Sequence, residues 1–184
     1  EIISACFILE KKIKVYFLGP RGTFSEIAAA KHFGNSVEKL ETENIQNIFK
    51  EVFKNKNSYG VLPFENSIEG MVNQSLDSLI ESDLKICSEL ELSIEHCLFS
   101  SEKSMKKLSV IYGHPQAFAQ CRKWFNRNLP KVKFIEVESS AKAAQLIKNK
   151  SGRGCIGPEN ISETYSLNLL KDKIQDQKTN TTRF

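Results

Sequence analysis

The sequence has 184 residues, 40% of them hydrophobic and 26% charged, enough apolar material for one sizeable core or two small lobes of a soluble globular chain. Its 26 basic and 22 acidic residues leave a formal charge of +4 with no basic block beyond Lys11-Lys12-Ile13-Lys14 and Lys103-Ser104-Met105-Lys106-Lys107, which argues against nucleic acid and allows a small anionic ligand. No apolar run approaches the roughly 18 residues of a membrane span, and Cys6, Cys87, Cys97, Cys121 and Cys155, scattered without a CxxC, read as reduced, buried thiols of a cytoplasmic protein without structural zinc.

In chain order, Ile2, Ile3, Cys6, Phe7 and Leu9 follow helical spacing, as the end of a helix begun upstream would. A strand is predicted at Val15–Leu18, a helix at Phe24–Phe33 stopped by Gly34, a second helix at Ile45–Lys54 and a strand at Tyr59–Leu62. A helix over Met71–Glu81 follows, with Val72, Leu76, Leu79 and Ile80 on one face, and Leu90–Glu95 then alternates as a half-buried strand does. The rhythm restarts with Val110–Tyr112 before GHPQAFAQC and a helix to about Asn126, Val132–Val137 before SSAKAAQLI, and Gly154–Gly157 before PENISETYSL. Phe17, Phe33, Phe49, Phe53, Phe118 and Phe125 fall at core spacing. The pattern is α/β, and two αβ groups joined by an alternating strand predict two lobes.

Four junctions share a chemistry of small polar groups. In Gly19–Glu26, Thr23 and Glu26 have capping-box spacing, and the N–H groups near Gly22 and Thr23 are expected to receive a carboxylate oxygen. Arg21 beside them either steers an anion inward or is a solvated surface residue. Asn66 and Glu69 repeat the spacing, with Ser67 as a second donor, and His114-Pro115-Gln116 and Ser139-Ser140-Ala141 open the later helices. Helix N-termini attract anions, although each of these groups is also an ordinary cap. Capping does not account for Asn180-Thr181-Thr182-Arg183-Phe184, a polar, strand-like segment with no helix to cap.

With GPRGTFSE at 19–26, GVLPFENSIEGMV at 60–72, HPQAFAQC at 114–121 and NTTRF at 180–184, the chain from about Lys14 to Phe184 resembles the prephenate dehydratases, which turn prephenate into phenylpyruvate in phenylalanine biosynthesis. The leading EIISACFILE resembles the last helix of a chorismate mutase domain, a fusion that would favour prephenate over arogenate. Relatives usually continue into a phenylalanine-binding ACT domain. Two departures stand out: Ser139-Ser140-Ala141 replaces a Ser-Thr-Ala pattern, and Cys155–Asn160 replaces a run of small residues, which leaves any ligand contact from that junction open.

The resemblance implies two α/β lobes like those of type II periplasmic binding proteins, with the active site in the cleft between them. The crossovers are expected at about Glu89–Leu98 and Asp176–Phe184, so that 14–92 with 178–184 forms lobe 1, 93–177 forms lobe 2, and 1–13 is the upstream helix tail. Thr182 is implied as the catalytic hydroxyl, donating to the departing hydroxide, while Thr181 faces the other way. Thr23, Asn66, Ser67, Gln116, Ser140, Gly22, Arg21 and Arg183 are the candidate substrate-binding residues. Arg183 stays open between a carboxylate clamp and a structural ion pair, because a clamp on the ring carboxylate would stabilise the charge that must leave as carbon dioxide. No metal or cofactor is implied; the partner is a small dicarboxylate, and the assembly a homodimer or larger. Arogenate dehydratase and a non-catalytic two-lobe binding module remain as alternatives, the latter having no need of Thr182-Arg183-Phe184.

Overall fold

Three consecutive buried residues, Val15, Tyr16 and Phe17, require a strand covered on both faces, and in the computed structural model they form the centre of β1 (Lys14–Leu18). The structure describes residues 13–34 and 36–184; the helix expected over the N-terminal segment lies outside the described residues. β1 pairs in parallel with β2 (Glu38–Thr42) on one side and β3 (Ser58–Val61) on the other. Two helices make the crossovers. α1 (Phe24–Phe33) stops at Gly34, whose φ of 73° is open to glycine and whose N–H closes onto Ala30 O. α2 (Ile45–Lys54) starts where Asn44 accepts the Asn47 N–H. β2 has no signature in the sequence, because Glu-Lys-Leu-Glu-Thr at a sheet edge carries no apolar run. Phe53, expected in the core, is 71% exposed: α2 turns Ile45 and Ile48 inward instead.

A second, four-stranded antiparallel sheet follows, in the order β5-β4-β12-β6. Its strands are β4 (Glu65–Asn66), β5 (Gly70–Met71), β6 (Glu91–Ser93) and, from the far end of the chain, β12 (Thr181–Arg183). Because β5 uses Gly70 and Met71, α3 covers Asn73–Ile80 rather than Met71–Glu81. The chain leaves this sheet through Ile94–His96 and returns to it through Gln175–Asn180.

The other lobe is a five-stranded mixed sheet in the order β11-β7-β10-β8-β9. Its strands are β7 (Cys97–Ser100), β8 (Val110–Gly113), β9 (Lys133–Glu136), β10 (Arg153–Gly157) and β11 (Asn168–Lys171). β8 is parallel to β9 and β10, whereas β7 runs antiparallel to β10 and β11. The helix expected after β8 breaks at Cys121 into α4 (Pro115–Gln120) and α5 (Arg122–Asn128). Asp176 causes the break to hold, its carboxylate accepting the Lys123 and Trp124 N–H groups at 2.8 and 3.0 Å. α6 (Ser140–Ile147) is capped by Ser139 on the Lys142 N–H, as its spacing predicts, and α7 (Ile161–Tyr165) closes the lobe.

Strand alternation divides the core of this lobe between the two faces of its sheet. Phe99 and Cys155 pack with Ala143, Ile147 and Ile161 on one face, while Leu98 and Ile156 pack with Ile111, Phe125 and Ile174 on the other. Each fully buried Leu, Ile or Phe among them contributes about 1.5–3 kcal/mol. Cys97, Cys121 and Cys155 are buried within these clusters, and loss of solvation pushes their thiols up; Cys87 is exposed, contrary to expectation.

Candidate active site

β12 is threaded between β4 and β6, placing Thr182 opposite both Asn66 and Leu92. Alternation buries the Thr182 side chain, leaving its neighbours outside. Arg183 faces away, with Nη1 3.5 Å from Glu65 Oε2 and Nε 3.9 Å from Glu89 Oε2. That is the ion-pair alternative, on an exposed surface where such pairs contribute little. With Phe184 it borders a separate apolar cavity of about 470 Å³ between β3, α2 and α3.

The Thr182 hydroxyl accepts a hydrogen bond from Asn66 Nδ2 at 2.9 Å and has no acceptor among the described residues, so its own proton is available. Asn66 does not open a helix. It ends β4 at a hairpin, where its Oδ1 accepts the N–H groups of Ile68 (3.0 Å) and Glu69 (3.1 Å), an Asx turn that fixes which way the amide points. Its Nδ2 also reaches Asn180 Oδ1 at 2.8 Å, and Asn180 Nδ2 reaches Gln120 Oε1 at 3.3 Å. Gln120 Oε1 lies 2.7 Å from His96 Nε2 as well. A line of neutral side chains thus runs from the hairpin of one lobe to the last turn of α4 in the other.

Gln120 and Asn180 border an open cleft of about 660 Å³, walled by Ile68 and Glu69 from the hairpin and by His114, Gln116 and Lys123 from the opposite lobe. Of the expected binding residues, Gln116 lies in this wall. Ser67 stitches the returning strand, its Oγ accepting the Thr181 N–H at 3.0 Å and donating to Thr179 O at 3.3 Å. Ser140 is the first residue of α6 and packs beside Gly157.

The loop around Gly22 differs from its expected role. The Arg21 N–H donates to Glu41 Oε2 at 2.9 Å and the Gly22 N–H to Glu26 Oε2 at 2.7 Å, so the protein's own carboxylates occupy these donors. Thr23 does not cap α1; its hydroxyl donates to Leu18 O at 3.3 Å. The loop is instead a contact between lobes. Tyr165 donates its hydroxyl to Arg21 O at 3.0 Å, Asn160 Nδ2 donates to Glu26 Oε2 at 3.2 Å, and the exposed Arg21 side chain reaches back to Lys39 O at 3.5 Å. Gly22 has φ 87°, and a Cβ there would stand 2.9 Å from Tyr165 Cε2. Gly22→Ala should therefore cost about 1–2 kcal/mol in urea unfolding, combining left-handed strain with the displaced ring.

The sequence pattern by itself assigns no role to Gln120, Asn180 or His96. Gln120 lies one turn after Gln116 on the same helix face, a spacing that could have flagged it. His96 belongs to no motif. It is 4% exposed, and burial, only partly offset by the bond to Gln120, holds its imidazole below the usual histidine range and neutral.

A family profile described as prephenate dehydratase matches residues 15–184. The chain belongs to the prephenate dehydratase family. Its relatives include the bifunctional chorismate mutase/prephenate dehydratase of Aquifex aeolicus, 46% identical over 184 residues that make up 100% of this chain and 51% of that protein. The prephenate dehydratase of Methanocaldococcus jannaschii is 39% identical over 180 residues, 94% of this chain and 63% of the relative. The chain spans about half the length of the bifunctional relatives that it matches. The solved prephenate dehydratase of Arthrobacter aurescens, in complex with L-Phe, has a TM-score of 0.84 over 94% of this chain and 59% of its own, at 27% identity. The expected two-lobed, periplasmic-binding-protein-like α/β architecture is thus that of solved prephenate dehydratases.

Proposed function

We propose that this domain converts prephenate to phenylpyruvate, releasing carbon dioxide and water with uptake of one proton. The observation that carries the reading is the Thr182 hydroxyl, buried with the Asn66 amide donating to it and its own proton unclaimed among the described residues, and joined through that amide to Asn180 at the border of the cleft. Aromatisation makes the reaction strongly downhill, and the barrier lies in expelling hydroxide from the ring. A hydroxyl aimed at the departing oxygen stabilises charge that exists only in the transition state, which raises kcat. Asn66, by donating to Thr182 Oγ1, polarises the O–H and strengthens that donation.

The remaining donors sort the two carboxylates. Gln120, Gln116 and Lys123, on the lobe that faces the hairpin, take the pyruvyl carboxylate. The ring carboxylate, left without a bidentate arginine, is free to lose its charge as carbon dioxide; Arg183 pairs with Glu65 and Glu89 elsewhere. In this reading the lobes divide at 14–92 with 178–184 and at 93–177, and the enzyme works in the cytoplasm as a homodimer or larger.

Incubation with prephenate, followed by phenylpyruvate absorbance in alkali, tests the proposal. Steady formation of phenylpyruvate above the uncatalysed rate is expected; its absence from folded protein would overturn the reading.

A further inference from the structure

His96 lies on the segment that leads from β6 to β7, and its backbone is tied to the returning segment: its N–H donates to Gln175 Oε1 at 3.0 Å and its carbonyl accepts the Ile174 N–H at 2.8 Å. Its ring stands edge-on to Phe24 of α1, with centroids 5.7 Å apart, and its Nδ1 is buried without a hydrogen-bond partner among the described residues. Among the described residues, its Nε2 has one hydrogen-bond partner, Gln120 Oε1 at 2.7 Å.

The neighbouring amides decide where the imidazole proton sits. Backbone N–H groups hold Asn66 by its oxygen, so Asn66 turns its Nδ2 to Asn180 Oδ1. Asn180 must then present its own Nδ2 to Gln120, and Gln120 must answer with Oε1. The atom that faces His96 is an acceptor, and His96 Nε2 carries the hydrogen. Both donors on Gln120 therefore meet its oxygen, which leaves its Nε2 without an acceptor among the described residues, in a side chain that borders the cleft. Each amide in the line accepts at one end and donates at the other, an arrangement that strengthens the last donor.

We propose that His96 is a positioning residue for the dehydration: its Nε2–H holds Gln120 by the oxygen and so presents the Gln120 amide hydrogens to the substrate. The inference rests on the reading of this cleft as a prephenate site. A neutral, buried ring suits the role, since burial disfavours a second proton on Nδ1, where no acceptor would receive it.

A double-mutant cycle tests it. His96→Phe keeps an aromatic ring against Phe24 and removes the donor; it should lower kcat/KM for prephenate about tenfold, the scale of one misdirected hydrogen bond. Gln120→Ala should lower kcat/KM further, and adding His96→Phe to Gln120→Ala should cost nothing more. Independent, multiplying losses would overturn the proposal, because a purely structural histidine would act without regard to Gln120. Nitrogen-15 NMR of the wild-type ring gives a second reading that needs no variant: protonated Nε2 with bare Nδ1 near neutral pH supports the assignment, and a hydrogen on Nδ1 rejects it. A folded wild type that makes no phenylpyruvate would sink the dehydratase reading together with this inference; an active wild type with multiplying losses would sink this inference alone.

Discussion

Thr182→Val should lower kcat/KM for prephenate about a thousandfold while leaving the far-ultraviolet circular dichroism unchanged. The substitution keeps the shape and the β-branch that suit a middle strand and deletes only the hydroxyl. Loss of one preorganised donor to a developing oxyanion is worth on the order of 100-fold to 1000-fold, and the upper end applies because in the proposed mechanism this hydroxyl assists departure of the leaving group itself. The cost in stability should be about 1 kcal/mol, since Asn66 Nδ2 retains Asn180 Oδ1 and Thr181 O as acceptors. Steady-state kinetics beside a urea melt separate the two effects. A loss of activity below about tenfold in folded protein would remove Thr182 from the chemistry.

Asn66→Asp should be nearly as damaging by a different route. The carboxylate can still accept the Ile68 and Glu69 N–H groups, but its second oxygen would face the carbonyl oxygens of Asn180 and Thr181, where the amide now donates at 2.8 and 3.1 Å. It would also capture the Thr182 proton that the proposed mechanism directs to the substrate. We expect kcat/KM to fall at least 100-fold, on the order of one lost oxyanion donor. Unfolding free energy at pH 7 should drop by about 2 kcal/mol, because acceptors would face acceptors. The sign of the pH response is diagnostic. Repulsion raises the folded-state pKa of the new carboxyl, so the variant should regain stability relative to wild type as pH falls and an O–H donor is restored. A deficit unchanged by pH would mean that Asn66 acts through packing.

How far the sequence could be read depended on the distance over which each feature is determined. Local features were legible: the Gly34 stop, the caps at Ser139 and His114, and the α/β alternation all follow from neighbouring residues. β7 and β11 escaped, although every residue of β7 is buried, because Cys-Leu-Phe-Ser beside a crossover and Asn-Leu-Leu-Lys are too short to show a periodicity of their own. In the site, Thr182 and Asn66 stood in recognisable motifs, whereas the state of the Gly22 loop did not follow from its glycines. Glu41, which takes the Arg21 N–H, lies 20 residues away in sequence, on a strand whose polar pattern gave no signal. His96 shows the limit in another way: a lone histidine in an alternating segment has no spacing to mark it, and only the fold brings Gln120 to its ring.

In the proposed reaction, the separation of Asn66 from Thr182 by 116 positions sets when turnover can begin in the life of each molecule. β4 and β6 share no partner until β12 slides between them, and β12 emerges from the ribosome after every other strand described here. Contacts that span so much chain form late, after the helices and nearer pairings have removed most of the search. A nascent or partly folded copy therefore holds a hairpin and a cleft wall but lacks the proposed leaving-group donor. Turnover of the first substrate molecule would report that insertion of the final strand has finished.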